Sequence, residues 1–187
     1  AALKGSTLAI FLSFKRLNTH NLSFKLNVDG ASRGGSRIAG CGGLIRGSKG
    51  EWITGFSRKI GCCSAITAEL WAVLTGLQLA VQCKIDRLIV ECDSQAVVQM
   101  LEKVNTEGSA EAELRLLSDI HQVMLKIPDL DCVHVFREGN IVADTLAGIS
   151  FVQEECYACF VNPPPVVNEL LQRDVRGVSY PRHILIQ

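Results

Sequence analysis

The chain's first regular segment is FKLNVDGASRGG, residues 24–35. Apolar and polar side chains alternate from Phe24 to Val28, with the period of two that predicts a half-buried β-strand. Asp29 follows at the end of this strand, and a loop rich in glycine comes next. A carboxylate held by a strand beside such a loop suits metal-assisted chemistry on a phosphate, but Asp-Gly is also an ordinary turn at a hairpin tip. This segment alone leaves both interpretations open.

Composition limits the classes of protein to consider. A length of 187 residues and a hydrophobic fraction of 48% predict one globular domain with tails. The formal net charge of +0 gives no overall field that would attract a polyanion or a membrane surface. No secretory leader and no stretch of transmembrane length is expected.

The 8 cysteines point to the compartment rather than to a site. Several fall in apolar strand or helix patterns, as expected of buried thiols in a reducing compartment. We therefore expect an intracellular protein, in the nucleus or the cytoplasm. Cys156 and Cys159 form one CxxC motif, but no second pair follows at the spacing of a zinc site.

The periodic patterns predict the order β-β-β-α-β-α-α-β-α, a five-stranded mixed α/β sheet with helices packed against it. Strands are predicted over residues 24–29, 39–46, 51–56, 87–92 and 131–136. Helices are predicted over residues 64–83, 95–104, 110–127 and 141–149. Three prolines at 163–165 mark a break, and a short helix is predicted over 166–174. We therefore divide the chain into a leader (1–23), a domain (24–150) and a C-terminal tail (151–187).

Four carboxylates fall on four different predicted elements: Asp29, Glu69, Asp93 and Asp144. Ordinary explanations exist, since Glu69 in a first helical turn would complement the helix dipole and Asp93 is a good N-cap. If the four converge, a cation must lie among them, because neighbouring like charges disfavour joint ionisation. Hard oxygen ligands suit Mg²⁺ or Mn²⁺, and two such ions can activate a water and stabilise the leaving oxygen of a phosphodiester. The glycine-rich loop lacks the GKS/T ending of a P-loop, so we expect no nucleotide cofactor.

The ordered motifs NVDG (27–30), TAEL (67–70), ECDS (91–94) and REGNIVAD (137–144) resemble the type 1 ribonuclease H domain. More narrowly, they are similar to the ribonuclease-H-like domains of plant retrotransposon-derived reverse transcriptases. The resemblance covers residues 24–149 and extends to the tail at 163–182. It implies that the four carboxylates bind metal and catalyse hydrolysis of the RNA strand of an RNA/DNA hybrid. We expect a monomer that contacts no membrane.

The resemblance also implies roles for residues around the carboxylates. His134 stands ten positions before Asp144, where many members carry an assisting histidine. In members with the RExNxxAD pattern an arginine takes this part, and Arg137 fits that pattern; His134 is then an outward-facing strand residue. Asn140 matches a position that supports the last aspartate or contacts the hybrid. Contacts to phosphates and RNA 2′-hydroxyls are expected from Gly30, Ala31, Ser32, Arg33, Ser94 and Asn140.

Two departures from the family pattern concern substrate binding. After the first strand many relatives read GNPGPAG, whereas residues 34–40 of this chain read GGSRIAG. Where some members carry a basic protrusion, residues 105–109 of this chain form a short acidic break. We therefore expect weak hybrid affinity. Two hypotheses remain: a metal-dependent ribonuclease, or a catalytically weak or inactive domesticated module that binds nucleic acid or protein. The complete carboxylate set favours the enzyme, because a module freed from catalysis has no reason to keep so costly a cluster.

Overall fold

The computed structural model describes residues 23–33, 38–102 and 110–175. The strands in these ranges are β1 (Phe24–Arg33), β2 (Ile38–Arg46), β3 (Trp52–Cys62), β4 (Arg87–Cys92), β5 (Asp129–His134) and β6 (Tyr157–Phe160). The helices are α1 (Ala65–Gln82), α2 (Gln95–Glu102), α3 (Glu111–Met124), α4 (Ile141–Ile149) and α5 (Pro165–Val175). A single 3-10 turn, Arg137–Gly139, precedes α4. The predicted leader, the altered loop at 34–37, the acidic break at 105–109 and the end of the tail lie outside the described residues, apart from residue 23.

Strand β1 lies near the middle of a mixed sheet with the order β5-β4-β1-β2-β3-β6. It pairs antiparallel with β2 and parallel with β4, which in turn runs parallel to β5. The predicted mixed α/β sheet and its element order are confirmed. Because β1 and β4 are parallel neighbours, Asp29 near the end of their pairing and Asp93 just after β4 come to the same edge of the sheet.

The predicted number of strands was one too small. Strand β6 adds to the sheet by pairing antiparallel with β3, from Gly55 opposite Phe160 to Arg58 opposite Tyr157. Its sequence, YACF, has four residues and is too short to display a period of two. Helix α5 follows it and buries Val167 against α4. The described residues after Ser150 therefore pack onto the sheet and α4, while a domain boundary at residue 150 stays a prediction.

Two glycines set the distance of the main helices from the sheet. A Cβ added at Gly30 on β1 would lie 2.2 Å from the backbone nitrogen of Glu69 in α1. A Cβ added at Gly42 on β2 would lie 2.2 Å from the backbone nitrogen of Ala147 in α4. Gly42 pairs with Asp29, the residue before Gly30, so the two helices cover opposite faces of the sheet. Each helix thus carries its acidic residue close to Asp29.

Helix α1 corrects one expectation from the sequence. By length and composition it could cross a membrane, although no stretch of that length was expected. It is the core helix of the sheet instead, with 56% of its span buried. Its apolar side chains, among them Leu70, Val73 and Leu77, join those of β1 and β4 in the main hydrophobic cluster.

Candidate active site

Asp29 is the most buried of the four carboxylates, with a relative exposure of 6%. Burial raises its pKa to about 9, and the charges of Glu69, Asp93 and Asp144 add to this effect. A side-chain hydrogen bond with Asp144 acts in the same direction. Asp29 therefore holds a proton at neutral pH unless a cation enters the site.

Glu69 lies over Gly30 of β1. It is the fifth residue of α1, whose N-cap is Ser64, so it lies in the second turn and not in the first as predicted. The Gly30 backbone N–H donates to its carboxylate over 3.1 Å. Burial and Asp93 raise its pKa to about 8, while that hydrogen bond and the Arg137 guanidinium act in the lowering direction. Glu69 therefore serves the site rather than the helix dipole.

Asp93 does not act as the predicted N-cap of α2. The Ser94 hydroxyl takes that part and accepts a hydrogen bond from the Val97 N–H over 3.5 Å. The Asp93 carboxylate instead accepts from the Asn140 side chain over 3.4 Å. Possible ligand atoms of Asp93, Glu69 and Cys92 lie within 4.8 Å of one another. Asp93 therefore faces the same site as Asp29 and Glu69.

Asp144 completes the set from the first turn of α4. Its side chain is 49% exposed and lies 3.7 Å from the guanidinium of Arg137, itself 80% exposed. The structure thus brings together the four acids, from four different elements, that were predicted to converge. Asp29 and Glu69 form the buried side of the site, and Asp144 with Arg137 forms its open side.

Both candidates for an assisting base or cation lie at this open side. The His134 ring nitrogen Nε2 is 3.2 Å from the Asp93 backbone carbonyl oxygen, and the ring packs edge-on against Phe136 at 5.9 Å. Arg137 contacts Asp144 as described. The structure therefore places Arg137 beside the Asp144 carboxylate and His134 beside the backbone of Asp93, and the choice between His134 and Arg137 stays open.

The residues predicted to contact nucleic acid fall into two groups. Ala31 and Ser32 are partly exposed and Arg33 is exposed. The Ser32 hydroxyl donates to the Cys63 carbonyl over 3.2 Å, and the Arg33 guanidinium lies 4.1 Å from the centre of the Phe151 ring. These residues form a shelf along the end of β1, next to the carboxylates.

The other predicted contacts face inward. Asn140 is fully buried, at 0% exposure, so it is placed to support Asp93 and not to reach a hybrid. The Gly30 N–H is already bonded to Glu69, and the Ser94 N–H points to the Cys92 sulfur at 3.4 Å. For these three positions the structure shows contacts inside the site, and their predicted contacts to nucleic acid stay a prediction.

Sequence reasoning did not single out Asn27 and Glu91, which lie next to the site. Asn27 is 1% exposed although it occupies a polar position of an alternating strand. Its Nδ2 donates to the Glu91 carboxylate over 2.8 Å. Asn27 belongs to the motif NVDG, close to Asp29, and Glu91 belongs to the motif ECDS, close to Asp93. The presence of an amide in one motif and of a second acid in the other could have pointed to these two residues.

Comparisons with known proteins concern the family and the fold of this chain. A family model described as "Reverse transcriptase-like" matches residues 27–149. An Arabidopsis thaliana protein, whose name assigns it provisionally to ribonuclease H, is 38% identical over 160 residues. That match covers 86% of this chain but only 26% of the relative, so the chain spans about a quarter of that protein's length.

Solved structures with the same fold include three ribonucleases H. RNase H1 from the archaeon Halobacterium salinarum superimposes with a TM-score of 0.66 at 25% identity, over 70% of this chain and 98% of that one. An N-terminal RNase H domain from Mycobacterium tuberculosis gives 0.65 at 23% identity, covering 70% and 94%. LC11-RNase H1, a metagenomic protein from compost solved with an RNA/DNA hybrid, gives 0.62 at 26% identity, covering 68% and 95%.

Proposed function

Because this chain belongs to the reverse transcriptase-like family, we propose that it is a metal-dependent endonuclease that hydrolyses the RNA strand of RNA/DNA hybrids. The observation that carries this proposal is the convergence of Asp29, Glu69, Asp93 and Asp144 in one site. The names of the similar proteins support it, since they are ribonucleases H and one was solved with an RNA/DNA hybrid.

The chemistry of the donor set fits divalent cations. Burial and mutual repulsion raise the pKa values of Asp29 and Glu69, so these two carboxyls would lose their protons at neutral pH only when a cation offsets the negative charge of the set. Oxygen donors of this kind prefer Mg²⁺ or Mn²⁺, and the four carboxylates would hold two such ions. Bound there, the ions would supply a water of lowered pKa and a positive charge beside the leaving oxygen.

The chain's own groups would orient these carboxylates. The Gly30 N–H holds the Glu69 carboxylate, and the Asn140 amide holds that of Asp93, so neither has to be ordered when substrate arrives. Arg137 is mostly exposed beside Asp144, where its guanidinium can reach a phosphate oxygen and offset charge that develops there. His134 contacts the Asp93 backbone carbonyl at the same edge of the sheet, where its imidazole is the second candidate for the assisting role.

Substrate discrimination tests this proposal directly. End-labelled RNA/DNA hybrid, RNA duplex and DNA duplex of one sequence are incubated with the protein in Mg²⁺ or Mn²⁺, and in EDTA as control. We expect cleavage of the RNA strand of the hybrid alone, and only with metal. Folded protein that binds the hybrid without cutting it would favour the alternative, an inactive nucleic-acid-binding module.

A further inference from the structure

A continuous row of polar side chains runs behind the acidic site, from the surface to Asp93. Lys25 donates from Nζ to the Glu91 carboxylate over 2.6 Å, and Asn27 donates to the other oxygen of that carboxylate over 2.8 Å. The Asn27 Nδ2 also approaches the Asn140 Oδ1 at 3.4 Å. Asn140 in turn donates to Asp93 over 3.4 Å. The row therefore connects a surface ion pair to a carboxylate of the site.

The fold makes this row possible through the pairing of β1 with β4. Asn27 and Glu91 are direct neighbours across that parallel pair. The pairing ends one residue further on, at Val28 and Cys92, and there the Asn140 side chain donates to the Val28 carbonyl over 2.8 Å. Asn140 thus contacts β1 just before Asp29 and contacts Asp93 just after β4. One buried amide therefore contacts both acid-bearing segments at the point where the pairing of β1 with β4 ends.

The direction of every hydrogen bond in this row is fixed by its two ends. A carboxylate accepts hydrogen bonds but donates none when ionised, so Glu91 requires the NH₂ group of Asn27 to face it. The second N–H of Asn27 then meets the oxygen of Asn140, which turns the Asn140 NH₂ group toward Asp93 and the Val28 carbonyl. A reversed Asn27 amide would set oxygen against oxygen at both of its contacts.

Burial makes this direction matter. Asn27 is 1% exposed and Asn140 is 0% exposed. A buried amide that loses its partners is costly because water cannot replace them. Glu91, with a side chain 14% exposed, forms an ion pair with Lys25 at the outer end of the row.

We propose that Asn27 and Glu91 are positioning residues, which set the orientation of the Asn140 amide and through it hold Asp93 and the backbone of β1 just before Asp29. The effect on catalysis rests on the proposed function, while the effect on Asn140 does not. In the part of the chain that the structure describes, neither side chain forms a hydrogen bond with any of the four carboxylates, so their effect on Asp93 passes through Asn140.

The test measures hydrogen exchange of the Asn140 side-chain NH₂ group by NMR in the metal-free, ¹⁵N-labelled chain. Glu91→Ala is expected to speed this exchange about tenfold, the factor that corresponds to the loss of one hydrogen bond. Glu91→Gln keeps a carbonyl oxygen for Asn27 and is expected to restore exchange to within about threefold of wild type. Asp129→Ala is the matched control, because it removes another ion pair between neighbouring strands, Arg87–Asp129, away from the row.

Exchange at Asn140 that stays at the wild-type rate in folded Glu91→Ala protein would overturn the proposal. If that variant does not fold, Asn27→Ser decides in the same way, since it removes the donor to the Asn140 oxygen. Cleavage assays then separate the two proposals. Where the wild type cleaves hybrid, Glu91→Ala should lower kcat about tenfold with KM little changed. A wild type without activity would refute the proposed function, and the exchange result would still decide the positioning role.

Discussion

The backbone N–H of Gly30 donates a 3.1 Å hydrogen bond to the carboxylate of Glu69, and the same glycine leaves no room for a side chain beneath the backbone of Glu69. One residue therefore both admits α1 to the sheet and orients the acid that α1 carries. It directly follows Asp29, so the close approach of helix and strand also determines how near these two carboxylates lie.

Gly30→Ala should accordingly damage both the fold and the site. Its Cβ would meet the backbone of α1 at 2.2 Å, and we expect a loss of about 3 kcal/mol in the free energy of unfolding. Gly148→Ala is the matched control, because a Cβ there meets nothing within 4 Å and alanine favours the α4 helix by about 0.5–1 kcal/mol. Chemical denaturation of both variants measures the difference. If Gly30→Ala and Gly148→Ala had the same free energy of unfolding, α1 would be able to move away from β1 with little loss of stability.

The buried carboxylate of Asp29 should make the metal-free protein less stable as pH rises. Its pKa is about 9 in the folded chain and 3.8 ordinarily, so between these values the folded state keeps a proton that the unfolded state loses. The stabilising effect of that proton is complete below pH 3.8 and disappears as pH rises through about 9. Asp29→Asn should make the free energy of unfolding less dependent on pH, and should raise it near pH 8 by on the order of 2 kcal/mol.

Thermal unfolding in EDTA from pH 5 to 9 measures this effect. Asp119→Asn, a change at an exposed residue of α3, serves as the control. Added Mg²⁺ should stabilise the wild type more at pH 9 than at pH 6, since it competes with the proton for the same oxygens. A pH profile of Asp29→Asn that coincides with the wild type would contradict this assignment.

Arg137 should set the pH at which the site takes up metal. Its positive charge lowers the pKa of Glu69, so Arg137→Gln should raise that pKa and shift metal binding and cleavage to higher pH. A fall in kcat of about tenfold or more is also expected if the guanidinium offsets charge on the phosphate. pH–rate profiles of Arg137→Gln and His134→Ala, compared with the wild type, would identify which residue assists. A profile unchanged in Arg137→Gln would exclude its proposed role.

Hybrid binding should be weak and should depend on few cationic contacts. Arg33 is an exposed cation of the shelf beside the carboxylates, stacked on Phe151. Arg33→Ala should reduce the slope of log affinity against log salt concentration by about 1, as expected for the loss of one phosphate contact. Titrations of labelled hybrid in Ca²⁺ at several salt concentrations would measure this slope. Tight binding that does not change with salt would contradict the prediction.

The four carboxylates could be predicted from the sequence because each lies in a short motif in or beside a regular element. The position of Glu69 within its helix was predicted wrongly, although the predicted start of that helix, residue 64, lies only one residue before the observed start at Ala65. From either start, Glu69 lies beyond the first turn. Asn27 and Glu91 were missed for a different reason. Their contact depends on the register between β1 and β4, which are separated by more than 50 residues and paired only in the folded sheet.

Strand β6 shows the same limit. Its four residues carry no period of their own, and it becomes a strand because the edge of β3 offers hydrogen-bond partners from Gly55 to Arg58. The local sequence pattern was enough to predict the longer elements. In these, alternation extends over several residues of a strand, or an apolar stripe extends over several turns of a helix. The local pattern was insufficient where a partner elsewhere in the chain decides the structure.

The measurement that tests the central claim most directly compares wild type, Asp29→Asn and Asp119→Asn on a hybrid labelled in its RNA strand, with Mg²⁺ or Mn²⁺. Asp29 lies at the centre of the four carboxylates, whereas Asp119 lies exposed on α3. We expect metal-dependent cleavage of the RNA strand by the wild type and by Asp119→Asn, and a loss of at least about a thousandfold in Asp29→Asn. Absence of cleavage by folded wild-type protein, or equal cleavage by Asp29→Asn, would contradict the assignment of this site.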